Sequence, residues 1–281
     1  MKPGIYPGLS RAEYDGIDAI NFSLLKHMRR SPAHLQHEAV MPQESSDAQV
    51  LGQLVHTVCL AKSATMDRFA VAPKCDKRTK AGKAEYAEFV ASSAGKPMVD
   101  ADDLATAFAI RAALERHPAA NDLLYGEGVQ YEVGIIWNDP VSGLPCKGLV
   151  DCLTAGGVIV DLKSTLDASP GGFGREAAKY LYHAQMAWYW QGLMIVGDGA
   201  CESKFPVMVA VEKSGLHATG VYGMAVEHIQ AGYAAHSQWM SDYAACAKSG
   251  VWPAYSNEIV PLQLPAWAMR EDGDEDLSED F

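Results

Sequence analysis

Val50, Leu51, Leu54, Val55 and Val58 recur at helical spacing, which predicts a helix over 47–61 with one face buried. A shorter helical stretch runs from Ser23 to Arg30 and is expected to stop at Pro32. A basic loop over 76–83 feeds a helix to about 91, and another helix is predicted over 101–116. The period then changes. Val129 to Trp137 has strand character, and the Asn138–Gly143 stretch supplies a turn. Strands over 147–154 and 158–165 flank Gly156 and Gly157, an amphipathic pattern predicts one long helix over 174–195, and strands over 204–211 and 218–224 precede a closing helix over 226–247. Residues 1–20, punctuated by Pro3, Gly4, Pro7, Gly8 and Gly16, read as irregular. Helices followed by a sheet with a helix between its strands predict an α/β fold, a mixed sheet behind a helical N-terminal segment. No linker separates two units, so a single domain is expected over 1–269, with 1–125 mainly helical and 126–269 forming the sheet core.

The strands around Gly156-Gly157 carry the chemistry. Side chains alternate along a strand, so Asp161 and Lys163 share a face while Leu162 points into the core. A hairpin closed at the glycines brings Asp151 beside Asp161, placing two carboxylates and an ammonium at one strand edge. Close carboxylates repel unless a divalent cation lies between them. A lysine beside that cation can hold or deprotonate an attacking water, which is the equipment of a metal-dependent phosphodiesterase. Glu132, inside the preceding apolar strand, is either a solvent-face acid or a further ligand. His56 shares a helix face with Gly52, four residues before it, and is either a hydrogen-bonded histidine or a ligand approached closely through the glycine. Gln185 and Tyr189 also share a helix face, beside an apolar stripe of Met186, Trp190 and Met194.

Composition changes this picture in two places. Of the net charge of −12, one Arg and seven acids within 270–281 supply −6, leaving −6 for the remainder. Phosphate binding normally leaves a basic footprint, so nucleic-acid contact requires a focused patch rather than a global field; the acidic end itself reads as a disordered, solvating tail. The six cysteines are scattered without a C-x-x-C pair, which argues against a structural zinc site or a disulfide framework. No apolar run approaches membrane length and the N-terminus lacks a signal-peptide core, so no membrane association and a cytoplasmic location are expected.

Taken in order, Gly52-x-x-x-His56, Glu132, Gly148-x-x-Asp151, Asp161-x-Lys163 and Gln185-x-x-x-Tyr189 resemble the RecB-type PD-(D/E)xK nucleases, and more closely the C-terminal nuclease domain of the exodeoxyribonuclease VIII (RecE) type. The resemblance spans most of the chain. It includes Gly4-Ile-Tyr, Ala72-Pro73, Arg78-Thr79-x-Ala81-Gly82-Lys83, Trp137-x-Asp139-Pro140, Tyr182-His183-x-Gln185, Trp252-Pro253-Ala254 and Leu264-Pro265-x-Trp267-Ala268. Asp161 stands where many members of the wider superfamily carry Glu, a change between two oxygen ligands. The acidic tail has no counterpart in the pattern.

The resemblance implies a restriction-endonuclease-like core and a deoxyribonuclease using Mg²⁺ or Mn²⁺. His56, Asp151, Asp161 and Glu132 would be metal ligands, with Asp151, Asp161, Glu132, Lys163, Gln185 and Tyr189 forming the catalytic set. Ser23, Arg29, Arg30, Arg78, Lys83 and His183 are candidates for gripping DNA, since hydroxyls and guanidinium groups match phosphate geometry; helix capping and solvated charge account for the same residues otherwise. It also implies 5′→3′ degradation of double-stranded DNA from its ends, leaving 3′ overhangs for a RecT-type single-strand annealing protein in phage or prophage recombination, and a homo-oligomeric ring. A structure-selective endonuclease or single-strand exonuclease on the same core stays open, as does a catalytically silent DNA-binding relative.

Overall fold

The computed structural model describes residues 1–41, 46–60, 65–197, 205–265 and 268. The acidic tail, Cys201, and the outer ends of the helix predicted to 61 and the strand predicted from 204 lie outside these residues. In chain order the elements are β1 (Gly4–Tyr6), α1 (Arg11–Asp15), β2 (Ile20–Asn21), α2 (Phe22–Leu25), a 3-10 turn (Lys26–Arg29), α3 (Pro32–Val40), α4 (Asp47–Leu60), α5 (Thr65–Arg68), β3 (Ala70–Val71) and α6 (Lys80–Ser92). They continue as β4 (Met98–Val99), α7 (Ala101–Arg116), α8 (Pro118–Tyr125), β5 (Gln130–Asn138), β6 (Pro145–Leu153), β7 (Ile159–Thr165), α9 (Pro170–Lys179), α10 (Tyr182–Val196), β8 (Val207–Glu212), β9 (Thr219–Gly223) and α11 (Val226–Ser249).

Among the described residues the main sheet runs β1-β5-β6-β7-β8-β9, with β2 added parallel to β6. β5, β6 and β7 are antiparallel neighbours, whereas β7 and β8 are parallel and joined through α9 and α10, as a parallel pair requires a crossover. Helices cover both faces. Val133, Ile135 and Val150 pack against Ala184, Trp188 and Leu193 of α10 and Ile229 and Met240 of α11. On the other face Cys152, Val160, Leu162 and Val209 pack against Leu54, Val55 and Val58 of α4 and Ile110 and Leu114 of α7. The mixed sheet flanked by helices is the architecture expected from the pattern.

Three elements depart from expectation. Residues 1–20 are ordered as β1, α1 and β2, because their backbone hydrogen bonds to sheet strands that lie far away in sequence: Gly8 N–H donates to Tyr131 O and Leu9 N–H to Glu132 O. Pro32 does not merely stop a helix but starts α3, occupying the first turn where a missing N–H costs nothing, with Ser31 as the N-cap. The helix predicted over 174–195 is two helices. Leu181 adopts the left-handed conformation (φ 62°) between α9 and α10, and this break, invisible to a periodicity that continues through it, lets α10 set off from Tyr182 along the sheet.

Helix α11 packs along α10 where Gly232 presses on the backbone: an added Cβ would lie 2.5 Å from His183 O. One turn further, His236 is 1% exposed, edge-on to Trp188 and to Tyr233. Its Nε2 is buried without a hydrogen bond. Burial dominates, and the ring pKa falls from the usual 6.5 to about 4. The folded state therefore keeps this imidazole neutral while the unfolded chain takes up a proton below pH 6.5, so stability is lost as pH falls from 6.5 to about 4 and is unaffected above that window. The loss amounts to roughly 3 kcal/mol. In urea titrations at pH 7.5 and 4.5, His236→Met is expected to shrink the difference between the two pH values by that amount; equal differences in both proteins would refute it.

Candidate active site

The site lies at the fork between β6 and β7. Their ladder consists of Cys152 against Val160 and Leu153 against Ile159, and the next residues outward, Asp151 and Asp161, are not ladder partners. The hairpin closes as anticipated at Gly157, whose φ of 76° suits a residue without a side chain, with Gly157 N–H donating to Thr154 O and Val158 N–H to Thr154 Oγ1. Asp151 Oδ2 accepts from the Leu162 N–H at 2.8 Å, tying one carboxylate to the opposite strand.

His56, on α4, points its Nδ1 at Asp151 Oδ1, 3.5 Å away. Burial, the largest influence on each, works against charge in both, yet the pair wins: the His56 pKa is raised chiefly by Asp151, and that of Asp151 is lowered chiefly by His56. Helix α4 is held from behind by Arg111, which donates to Val58 O and Cys59 O at 2.7 and 2.9 Å. Gly52 does not mark a close approach within the protein, since an added Cβ would meet only Ser164 Oγ, at 3.9 Å. The space beside it belongs to a cavity of about 700 Å³ lined by Gly52, His56, Arg68, Glu132, Val150 and Asp151, among others.

Lys163 Nζ lies 2.5 Å from Asp161 Oδ2, and 4.7 Å above the ring centre of Tyr182. The ammonium covers that oxygen, which is buried and has no other donor among the described residues. Burial opposes the Lys163 ammonium, but Asp161, then Asp151, raise its pKa above the ordinary value. Burial pushes the Asp161 carboxyl up, Lys163 pulls it down, and the Asp151 charge pushes it up again, leaving it above its ordinary value. Such a carboxylate is favoured by added positive charge.

Whether a divalent cation fits can be judged from these atoms. Among the described residues no three His, Cys, Asp or Glu side chains already surround one point as a preformed cage. The donor types nevertheless suit a hard cation: the Asp151 and Asp161 carboxylates and the His56 imidazole lie near enough for their charges to act on one another. Glu132 differs from the expected ligand set. Both its oxygens accept from Arg68, at 2.6 and 2.7 Å. It stands opposite Asp151 in the β5–β6 register, at the one interior position where the ladder is interrupted, with a left-handed backbone (φ 49°).

Gln185 Nε2 donates to the Tyr189 hydroxyl at 3.1 Å. Tyr189 is 9% exposed and lies flat on β6, where a Cβ on Gly148 would come within 2.7 Å of its ring, so Gly148 is required by this close approach. Burial first, with Tyr14 and the Asp161 and Asp151 charges, raises its pKa well above the usual value and keeps the phenol protonated. This pair buttresses the fork.

The candidate DNA contacts separate into two sets. Ser23 is exposed on α2, whose N-cap is Asn21 and not Ser23. Lys26 follows on the 3-10 turn, accessible yet flanked by protein; desolvation and then the nearby Lys163 charge lower its pKa. His183 lies near both His228 and Arg29, whose charges add to burial in lowering its pKa. Lys26 thus lies near Lys163 and Arg29 near His183, so this turn carries two cations on the side of the fork that holds Lys163. Arg30 is exposed at the end of the same turn. Arg78 and Lys83 are exposed at the start of α6, where Arg78 pairs with Asp76, and among the described residues neither makes a hydrogen bond or ion pair to the carboxylate cluster. The conspicuous Arg78–Lys83 motif is in good part a helix start: Thr79 caps α6, and Gly82 is needed because a Cβ would strike Asp76 O at 2.2 Å. Sequence reasoning passed over Arg68, Lys26 and the role of Tyr182. Lys26 sits in the same basic run as Arg29, so a signal existed for it; Arg68 has none in its local pattern.

Residues 21–264 match the family described as a PDDEXK-like domain of unknown function (DUF3799). The chain belongs to that family. In fold it is similar to a solved structure from Eubacterium rectale titled "Putative exonuclease", with a TM-score of 0.57 and 15% identity, covering 93% of this chain and 97% of that one. The structure titled SSO0001 is more remote, at a TM-score of 0.27 and 10% identity over 81% of this chain and 93% of that one. None of the curated proteins matches it. The PDDEXK-like domain places the chain in the PD-(D/E)xK nuclease superfamily, whose members generally use divalent metals. Among the described residues no helix is long and apolar enough to cross a membrane.

Proposed function

We propose that this protein is a Mg²⁺- or Mn²⁺-dependent deoxyribonuclease that degrades double-stranded DNA 5′→3′ from its ends. The observation that carries the hydrolytic part is the fork itself: Lys163 against Asp161 and the His56–Asp151 pair beside them. His56, Asp151 and Asp161 would hold a divalent cation, which when bound supplies Lewis acidity toward a phosphate oxygen and makes a water more acidic. Lys163 donates toward the attacking water or a non-bridging oxygen, held in place by Asp161 and the Tyr182 ring. Tyr189, held by Gln185, packs on Gly148 of β6 and supports the strand that carries Asp151. Lys26, Arg29 and His183 face incoming phosphates, with Ser23 on the same segment. Duplex substrate, polarity, 3′ overhangs handed to a RecT-type annealing protein, and a ring of identical subunits are supported by the sequence resemblance to exodeoxyribonuclease VIII.

The test is digestion of linear duplex labelled at the 5′ or the 3′ end, with Mg²⁺, Mn²⁺ or EDTA, beside a covalently closed circle and the Asp161→Ala variant. Early metal-dependent release of the 5′ label with the circle intact is the expected result. A cut circle would replace exonuclease with endonuclease, and no cleavage with either metal would leave a silent DNA-binding protein.

A further inference from the structure

Arg68 and Glu132 form a two-point ion pair inside the cavity that also holds His56 and Asp151. A salt bridge placed only for stability is not expected at this position. Glu132 sits directly across from Asp151, its strand ladder is interrupted there, and its backbone adopts a conformation that side-chain-bearing residues rarely take. Its own carbonyl accepts from Leu9 N–H, so the irregular backbone is secured from outside the β5–β6 ladder. The side chains of Arg68 and Glu132 remain 38% and 29% exposed, so water screens their attraction and exchange of partners is not prohibitive. A guanidinium fork fits a phosphate as well as it fits a carboxylate. Ser10 and Arg11 line the same cavity, with the Ser10 hydroxyl donating to Glu13 and Arg11 paired with Asp15.

We infer that Arg68 is a phosphate-binding residue whose resting partner is Glu132, and that a DNA phosphate entering the cavity takes Arg68 and releases the Glu132 carboxylate toward the cation site beside Asp151. The inference rests on the reading of this fork as a site of DNA phosphodiester hydrolysis. It gives Arg68 two functions. Without substrate it neutralises a carboxylate that would otherwise face Asp151, and with substrate it positions a phosphate while completing the acidic ligand set. Metal and DNA would then bind with mutual reinforcement, because each removes the partner that opposes the other.

The test reads Mn²⁺ binding by calorimetry, without cleavage. In the absence of DNA, Arg68→Gln is expected to bind Mn²⁺ roughly fivefold more tightly than the wild type, the equivalent of freeing a screened ion pair. Adding Glu132→Gln to that variant should cancel the gain. Saturating the wild type with a phosphorothioate duplex should raise its Mn²⁺ affinity by a similar factor, with no further rise in Arg68→Gln. Arg68→Lys, which keeps the charge but not the fork, should fall between and serves alone if Arg68→Gln does not fold. A merely structural pair would lower the melting temperature of Arg68→Gln and leave Mn²⁺ affinity unchanged, and that outcome overturns the inference. Cleavage of duplex by the wild type separates the two claims: cutting without the Mn²⁺ shift sinks the exchange, whereas the shift without cutting sinks the nuclease reading.

Discussion

Lys163→Ala is expected to lower cleavage of linear duplex by about a thousandfold while leaving duplex affinity within a few-fold of the wild type. Lys163 contacts Asp161, and Asp161 and Asp151 together raise its pKa against burial. On the proposed mechanism, removing it takes away the donor to the attacking water, whereas Lys26 and Arg29, the cations proposed to meet DNA, remain. The variant also leaves Asp161 buried beside Asp151 with only His56 to oppose their repulsion, at a cost of several kcal/mol. Mg²⁺ should therefore raise the melting temperature of Lys163→Ala more than that of the wild type, because the ion supplies the missing positive charge. Single-turnover cleavage with anisotropy and thermal melts reads all three. Cleavage within tenfold of the wild type would remove Lys163 from the chemistry.

Lys147→Met should destabilise the protein by roughly 3 kcal/mol and loosen its first twenty residues before anything else. Lys147 is 4% exposed, and its ammonium donates to Tyr14 O at 2.8 Å and Ile17 O at 2.7 Å, lying 4.6 Å over the Tyr14 ring. Among the described residues it has no salt-bridge partner, and burial lowers its pKa. Methionine keeps the aliphatic stem, so the change isolates two charge-assisted hydrogen bonds and leaves two carbonyls without their donor. Hydrogen exchange should accelerate over 10–21 with little change in α10, because Trp188 Nε1 bonds the Lys147 carbonyl, which the substitution preserves. Uniform acceleration across the sheet would contradict this local role.

These two lysines show what could be read in advance. Lys163 was legible because Asp161-x-Lys163 follows a short Gly-Gly hairpin from Asp151, and a two-residue side-chain period is a local property of any strand. Lys147, four residues before Asp151 on the same strand, carries no local signal, because its partners are backbone carbonyls some 130 residues earlier. Gly148 and Tyr189 were both noted in the pattern, yet only the contact between them explains the glycine. The pattern offers Glu132 as a ligand or a solvent-face acid, and only the fold brings it Arg68, from a helix with no periodicity linking it to β5.

By itself the sequence determined the hairpin, the face shared by Asp161 and Lys163, the helices α4, α7 and α11, and the order of elements that makes the sheet mixed. Each depends on residues within a few positions of one another, where steric preference and hydrophobic period act directly. Only the tertiary structure decided the left-handed break at Leu181, the pairing of the first residues with β5 and β6, the approach of Lys26 to Lys163, and Arg68 on Glu132. Those depend on which distant groups meet once the chain is compact, and a buried polar atom settles its partner by proximity in space, not by position along the chain.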